Sequence, residues 1–498
     1  MELEPRVGLF EVFMLLASLY AAYRVFVWFT IPNLNFPVVG SPDASDYASA
    51  VLDGFEQYPD RPFILPSNPT AVILPLSMYM ETKNHPAIHH NLERQTRFMS
   101  RWTHADPEKP ELYPTIRIDM AKNMSALLPL MQDETKYGFS ELEISSEWKE
   151  LRIQSTMARL VALITSRAFI GEPLSRKDEW LQLALNYTSA LGRVQNDYNR
   201  LHPTIVSLMA PFLKSVRTAR QYVSKAEPLL APLVSSILLN QEKSVVLQPG
   251  EPGAVISWLL AYLPEKDRTT TRIAIDQLLL AFGAIHNTAN TATFALMNLL
   301  EHPEYIDDLR AEIEAEQAKE PAQHGDTGTG FGKMGFANLR KLDSFVKEMN
   351  PLYVTTANVS FSNGLRLPKG TRVGFPTRGI SMSPTNPTLS PSMNAKAGNP
   401  GPEIFDGYRF EKLRRLPGEE AKHQAVSTGL DSLVWGHGPH ACPGRFFAIY
   451  EIKSILIEFL LGYDIRTTST EGLKKELRVG LMSNPNSMAT VEIRKRSV

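Results

Sequence analysis

Hydrophobic positions in this chain fall mostly into long runs and helical stripes, with little strict alternation. The most apolar run is VFMLLASLYAAYRVFVWFTI, Val12 to Ile31, twenty residues with Arg24 as the only charge. At about 1.5 Å of helical rise per residue it matches the ~30 Å hydrocarbon layer of a bilayer. Tyr20, Tyr23 and Trp28 are spaced to sit near headgroups, and Arg24 lies within two turns of the end, where it can snorkel outward. No small-residue cleavage pattern follows, so the run reads as an uncleaved anchor rather than a signal peptide. Pro32 to Asp43, PNLNFPVVGSPD, is a stiff proline-bearing connector. This divides the chain into an anchor (1–31, spanning about 12–31), a linker (32–43) and one large domain (44–498).

Within that domain the pattern predicts mainly helices. Thr269 to about Leu300 is long and mostly apolar, broken in its middle by His286-Asn287-Thr288. HPEYIDDLRAEIEAE follows as a second helix, with Pro303 in its first turn and acidic residues early. Glu316 to Gly335 is rich in Gly and Thr and reads as an exposed loop. Tyr353 to Thr377 carries the clearest strand signal, with turns at Asn363-Gly364 and Pro368-Lys369-Gly370. Gly379 to Glu403, dense in Pro, Ser and Asn, reads as a long loop. The last long helix begins near Cys442 and runs to about Leu461. The expected fold class is therefore mainly α with small β-sheets, behind a transmembrane helix.

Composition changes this picture in two ways. A formal net charge of -1 gives no electrostatic reason for a nucleic-acid partner. One Cys in 498 residues excludes an intrachain disulfide, and with it a disulfide-stapled fold.

That single thiol lies in Trp435-Gly436-His437-Gly438-Pro439-His440-Ala441-Cys442-Pro443-Gly444-Arg445-Phe446. The glycines permit a tight loop whose backbone can approach a flat cofactor. Cys442 lies just before a helix start, where peptide N–H groups and the dipole favour a thiolate. A zinc site of His437, His440 and Cys442 would need a fourth ligand with its own paired spacing, and no second Cys supplies one. The pattern resembles the heme-binding loop of the cytochrome P-450 family. Trp435, Gly438, His440, Cys442 and Gly444 match in register, with Trp where Phe is usual, and RFFAIYEIK is similar to filamentous-fungal members.

The resemblance implies a mostly helical catalytic domain holding heme b between the long central helix and the Cys loop. Cys442 is then the axial ligand, and His440 donates to a heme propionate. Gly283-Ala284-Ile285-His286-Asn287-Thr288 resembles the family's oxygen-activating stretch. His286 takes the acid's place, Asn287 falls where Thr is usual, and Thr288 comes next. Phe405 to Phe410 resembles the aromatic-x-x-x-Arg-Phe segment, which places Arg409 in a buried ion-pair network.

The implied activity is a monooxygenase reaction that inserts one oxygen atom from O2 into a lipophilic substrate, of terpenoid type in fungal secondary metabolism. No flavin- or dinucleotide-binding glycine pattern is present, so electrons come from a separate NADPH-cytochrome reductase. The implied location is the endoplasmic reticulum membrane, single-pass, with the domain in the cytosol.

The chain departs from the family at one motif. Glu-x-x-Arg is expected before the β region, and here Glu348 is followed three residues on by Pro351. About three residues, including the Arg, are missing, and the 379–403 loop is unlike the family pattern. A buried Glu without its Arg must protonate or find another partner, and Arg409 is the available one. The alternative to a working enzyme is a heme-binding pseudoenzyme, or a chain assembled from misplaced exon boundaries.

Overall fold

The computed structural model describes the chain from Leu34 onward, except 68–69, 86–89, 107–108, 202, 244, 320–329, 349–364, 366, 368–370, 377–378, 381–385, 387–389, 439–440, 469–475, 480–481 and 498. Before Leu34 it describes Met14, Ala17, Ser18, Ala21, Ala22 and Val25, all helical and exposed. The expected membrane span at 12–31 therefore falls mostly outside the described residues. Among the described residues no helix is long and apolar enough to cross a membrane.

Four helices build the first half of the core: α1 (Met124–Ser140), α2 (Ile153–Phe169), α3 (Asp178–Arg200) and α4 (Lys214–Glu242). α2, α3 and α4 pack against α5 (Thr270–Glu301), a helix of 32 residues that also packs on α10 (Arg445–Gly462), while α1 packs on α2 and α10. The expected central helix is thus present. Thr269 caps it, its hydroxyl accepting the Arg272 N–H at 3.2 Å. Residues on every side of α10 are buried, including the polar Glu451, Lys453 and Ser454.

Among the described residues, three small sheets complete the fold. β1 (Phe63–Leu65) pairs antiparallel with β2 (Ala71–Ile73), which pairs parallel with β4 (Arg372–Gly374), placing Val72 opposite Val373. β3 (Lys149–Arg152) and β5 (Tyr463–Thr467) flank β8 (Thr490–Lys495), and β6 (Glu476–Val479) pairs with β7 (Met482–Pro485). The mainly helical expectation holds. Of the strand signal at 353–377 only β4 is seen among described residues, and both expected turns there lie outside them.

Two expected loops are shorter than the sequence suggested. α6 (Ile306–Gln317) runs into the 316–335 stretch, and a short helix begins again at Lys333. Inside the 379–403 stretch lies α8 (Pro391–Ala397), with Ser390 as its cap, Pro391 in its first turn and Gly398 ending it at φ +68°.

α7 (Arg340–Glu348) links this helical body to the Cys loop. Its start is capped from α6: the Glu312 carboxylate accepts the N–H groups of Lys341 and Leu342 at 2.7 and 3.0 Å. Burial pushes that carboxyl above its usual range, against those two hydrogen bonds. From the middle of α7 the Ser344 hydroxyl accepts the N–H groups of Phe410 and Glu411, at 3.0 and 3.1 Å, in α9 (Arg409–Leu413).

Candidate active site

Gly436 and Gly438 adopt φ of +69° and +77°, conformations that side chains with a Cβ rarely take. Between them the loop doubles back, and the Cys442 N–H donates to the Trp435 carbonyl at 2.7 Å. The Trp435 indole donates in turn to the Ala425 carbonyl at 2.7 Å. Arg445 holds the loop from its far side, donating to the carbonyls of Cys442 (2.9 Å) and Val426 (3.2 Å).

At the start of α10 the N–H groups of Gly444 and Arg445 hydrogen-bond the Cys442 sulfur. Burial pushes this thiol's pKa up, while those N–H groups and the charges of Arg445 and Arg94 pull it down. A wide π-helical turn, Thr115–Met120, brings Ile116 up to the loop: a Cβ on Gly444 would stand 3.8 Å from it. A Cβ on Gly438 would stand 3.5–3.6 Å from the end of Lys83.

These residues fit a heme. Among the described residues no group of three His, Cys, Asp or Glu could hold a bare metal ion, and the set His437, His440 and Cys442 is left untested because His440 lies outside them. One sulfur donor suits an iron that arrives already held by four porphyrin nitrogens. The His437 Nδ1 is buried without a partner, and desolvation together with Lys83 lowers that imidazole's pKa. Lys83 and Arg94 put positive charge beside the loop, as a dianionic macrocycle requires. Neither was legible in the sequence, because they come from segments remote from the motif and carry no local pattern.

The central helix has an opening in its middle. Gly283, His286 and Asn287, at i, i+3 and i+4, share one face and are exposed, although α5 is enclosed by other helices. A methyl on Gly283 would meet nothing within 4 Å. An open stripe on an enclosed helix borders space inside the protein. Phe282 and Phe98 pack edge to face beside it, 5.2 Å between centroids. His286 is accessible to that space yet densely surrounded, so desolvation lowers its pKa and the imidazole is neutral near pH 7. Thr288 turns onto the next face and is buried. The three polar residues are therefore split, two on the open face and one off it.

Glu348 and Arg409 meet. The guanidinium Nε donates to both Glu348 oxygens at 2.9 and 3.2 Å, and Arg409 is 1% exposed. Its remaining donors reach the carbonyls of Pro400 (2.8 Å), Gly401 (3.0 Å) and Ile404 (2.5 Å), and the Asn394 amide oxygen on α8 (3.5 Å). Arg409 is thus a buried structural cation and no surface charge. Burial outweighs this single guanidinium at Glu348 and pushes its pKa up to about 7.

Comparison with known proteins agrees with this geometry. The cytochrome P-450 family model matches residues 107–490. Cytochrome P-450 monooxygenase 3 of Gibberella fujikuroi is 36% identical over 482 residues, 93% of this chain and 91% of the relative. Cytochrome P-450 monooxygenase ascG of Acremonium egyptiacum is 34% identical over 492 residues, 94% and 92% respectively. Cytochrome P-450 monooxygenase BOA4 of Botryotinia fuckeliana is 33% identical over 498, covering 96% and 95%. A lone cysteine presented at a helix start, an opened central helix and matches along nearly the whole length lead to one conclusion: the chain belongs to the cytochrome P-450 family of heme-thiolate monooxygenases.

Proposed function

We propose that Cys442 ligates the iron of heme b in a membrane-tethered monooxygenase acting on a lipophilic, terpenoid-type fungal secondary metabolite, with NADPH-cytochrome reductase as electron donor. The observation that carries this reading is the sulfur of the chain's single cysteine at the start of α10, met by two peptide N–H groups and lying in the positive field of Arg445 and Arg94. Fungal relatives named as monooxygenases support the reaction class. The Glu348–Arg409 pair favours a working enzyme over a pseudoenzyme, since the carboxylate has a cation despite the missing motif Arg. When bound, the heme supplies activation of O2 and transfer of one oxygen atom to the substrate.

The chain's own residues supply the rest. Trp435, Gly438 and Gly444 shape the loop, and His440, Lys83 and Arg94 balance the propionates. On the open face of α5, the Asn287 side chain holds a water by hydrogen bonding. The neutral His286 imidazole accepts a proton at one ring nitrogen while giving one up at the other. The deciding experiment adds reductase, NADPH and isotopically labelled O2. Substrate-dependent incorporation of one labelled atom is expected, and NADPH consumption that no substrate stimulates would sink the reading.

Asn287→Ala is expected to leave the carbon monoxide spectrum intact, divert electrons to hydrogen peroxide and lower product per electron by roughly tenfold or more. Asn287→Thr should stay coupled. Uncoupling by Thr288→Ala instead would put the relay one residue later.

We further propose that residues 12–31 anchor the chain in the endoplasmic reticulum with the domain in the cytosol. Asn123, Asn186 and Asn358 lie in Asn-x-Ser/Thr sequons; Asn186 is exposed on α3, and Asn358 lies outside the described residues. On this topology all three stay unglycosylated. A glycosidase-sensitive mobility shift mapped to Asn186 would place the domain in the lumen.

A further inference from the structure

Five residues before Glu348, a second acidic side chain of α7 reaches toward the Cys loop. Asp343 sits one turn into α7 with its side chain 8% exposed. One carboxylate oxygen accepts the Lys453 ammonium of α10 at 2.7 Å. The other accepts the Ala425 N–H at 2.9 Å and lies 3.6 Å from Arg414. Lys453 is 3% exposed and also donates to the Phe336 carbonyl at 3.1 Å, so neither partner of the pair is free to rearrange.

The Ala425 peptide is therefore gripped from both sides. Its N–H is taken by Asp343, and its carbonyl by the Trp435 indole. Trp435 in turn accepts the Cys442 N–H through its own carbonyl. Three hydrogen bonds, 2.9, 2.7 and 2.7 Å long, run without a break from a buried carboxylate to the backbone of the thiol residue. Outer-shell partners of this kind fix ligand orientation, and their loss costs metal sites heavily. Asp343 touches neither sulfur nor substrate.

We propose that Asp343 is a positioning residue for the Cys442 sulfur, acting through the Ala425 N–H and the Trp435 indole. Its partnership with Lys453 holds the charge in place, and the N–H bond sets the loop. The proposal rests on the reading of Cys442 as iron ligand.

The test must separate the hydrogen bond from the ion pair, because removing Asp343 alone would strand a buried Lys453. Two double variants of the full-length holoprotein do this. Asp343→Asn/Lys453→Met deletes the ion pair and keeps an oxygen for the Ala425 N–H. Asp343→Leu/Lys453→Met deletes both, with a side chain of similar size. The readouts are the thiolate-type band of the reduced carbon monoxide complex, its rate of conversion to the neutral-thiol form, and the melting temperature.

The asparagine double is expected to keep the wild-type band. The leucine double should convert roughly tenfold faster or more while melting close to the asparagine double. Equal behaviour of the two doubles, with or without the band, would reduce Asp343 to an ion-pair partner and overturn the proposal. So would failure of the leucine double alone to fold, since the bond would then be a general structural one. A wild-type protein without the band would instead defeat the assignment of Cys442 itself.

Discussion

Cys442→Ser is expected to abolish the thiolate-type band of the reduced carbon monoxide complex while leaving the helical content unchanged. Serine retains the shape of the side chain, and its oxygen can take the N–H groups of Gly444 and Arg445 that now meet the sulfur. What it lacks is an accessible anion and a soft donor, because a hydroxyl is far harder to ionise than a thiol. The chain holds no other cysteine to substitute. The change therefore isolates ligation from folding. Circular dichroism should overlay wild type, and the spectrum of the carbon monoxide complex should not. Survival of the band would remove Cys442 from the iron.

Arg409→Leu should have the largest effect on stability. It strands the Glu348 carboxylate and leaves the Pro400, Gly401 and Ile404 carbonyls without their donor. Breaking a buried pair in this way costs about 3–5 kcal/mol. The loss should depend on pH, with a sign that follows from Glu348. Its folded pKa is raised to about 7 from the usual 4.5, so the native state binds the proton more tightly than the unfolded chain. The stability it contributes is full below about pH 4.5 and is lost as pH rises toward 7, on the order of 3 kcal/mol in all. Glu348→Gln should flatten that slope. Arg409→Leu should steepen it and carry it to higher pH, because the remaining cation is gone. Denaturant melts of the three proteins between pH 5 and about 8 measure this. A slope unchanged in Glu348→Gln would show that the carboxylate is ionised throughout.

Much of this architecture was readable in advance. Apolar periodicity located α5 and α10 to within a few residues, and loop chemistry singled out Cys442. α8 is hidden in the sequence although Ser390, Pro391 and Gly398 form a start-and-stop signature, because the density of proline around it is itself a loop signal. The partnership of Glu348 with Arg409 was anticipated from the missing motif Arg, since a buried carboxylate needs a cation and few are at hand. Asp343 was not anticipated. Its partners Arg414, Ala425 and Lys453 lie far along the chain, and a pattern confined to one helix carries no trace of them. Lys83 and Arg94 escaped for the same reason. Local chemistry marks the residue that reacts, whereas the groups that hold it are brought in by the fold.

The glycine in the middle of α5 carries a consequence of its own. Glycine inside a helix is less stable there than alanine by about 1 kcal/mol, and a methyl on Gly283 would strike nothing. Packing gives no reason to withhold it. The chain forgoes a stabilisation that the rest of the protein would accept, and what it keeps is volume on the one stripe of α5 that opens inward. A methyl at that point would take room from the face that Gly283 shares with His286 and Asn287. Residue 283 therefore sets helix strength against open room beside His286 and Asn287 in a single methyl group.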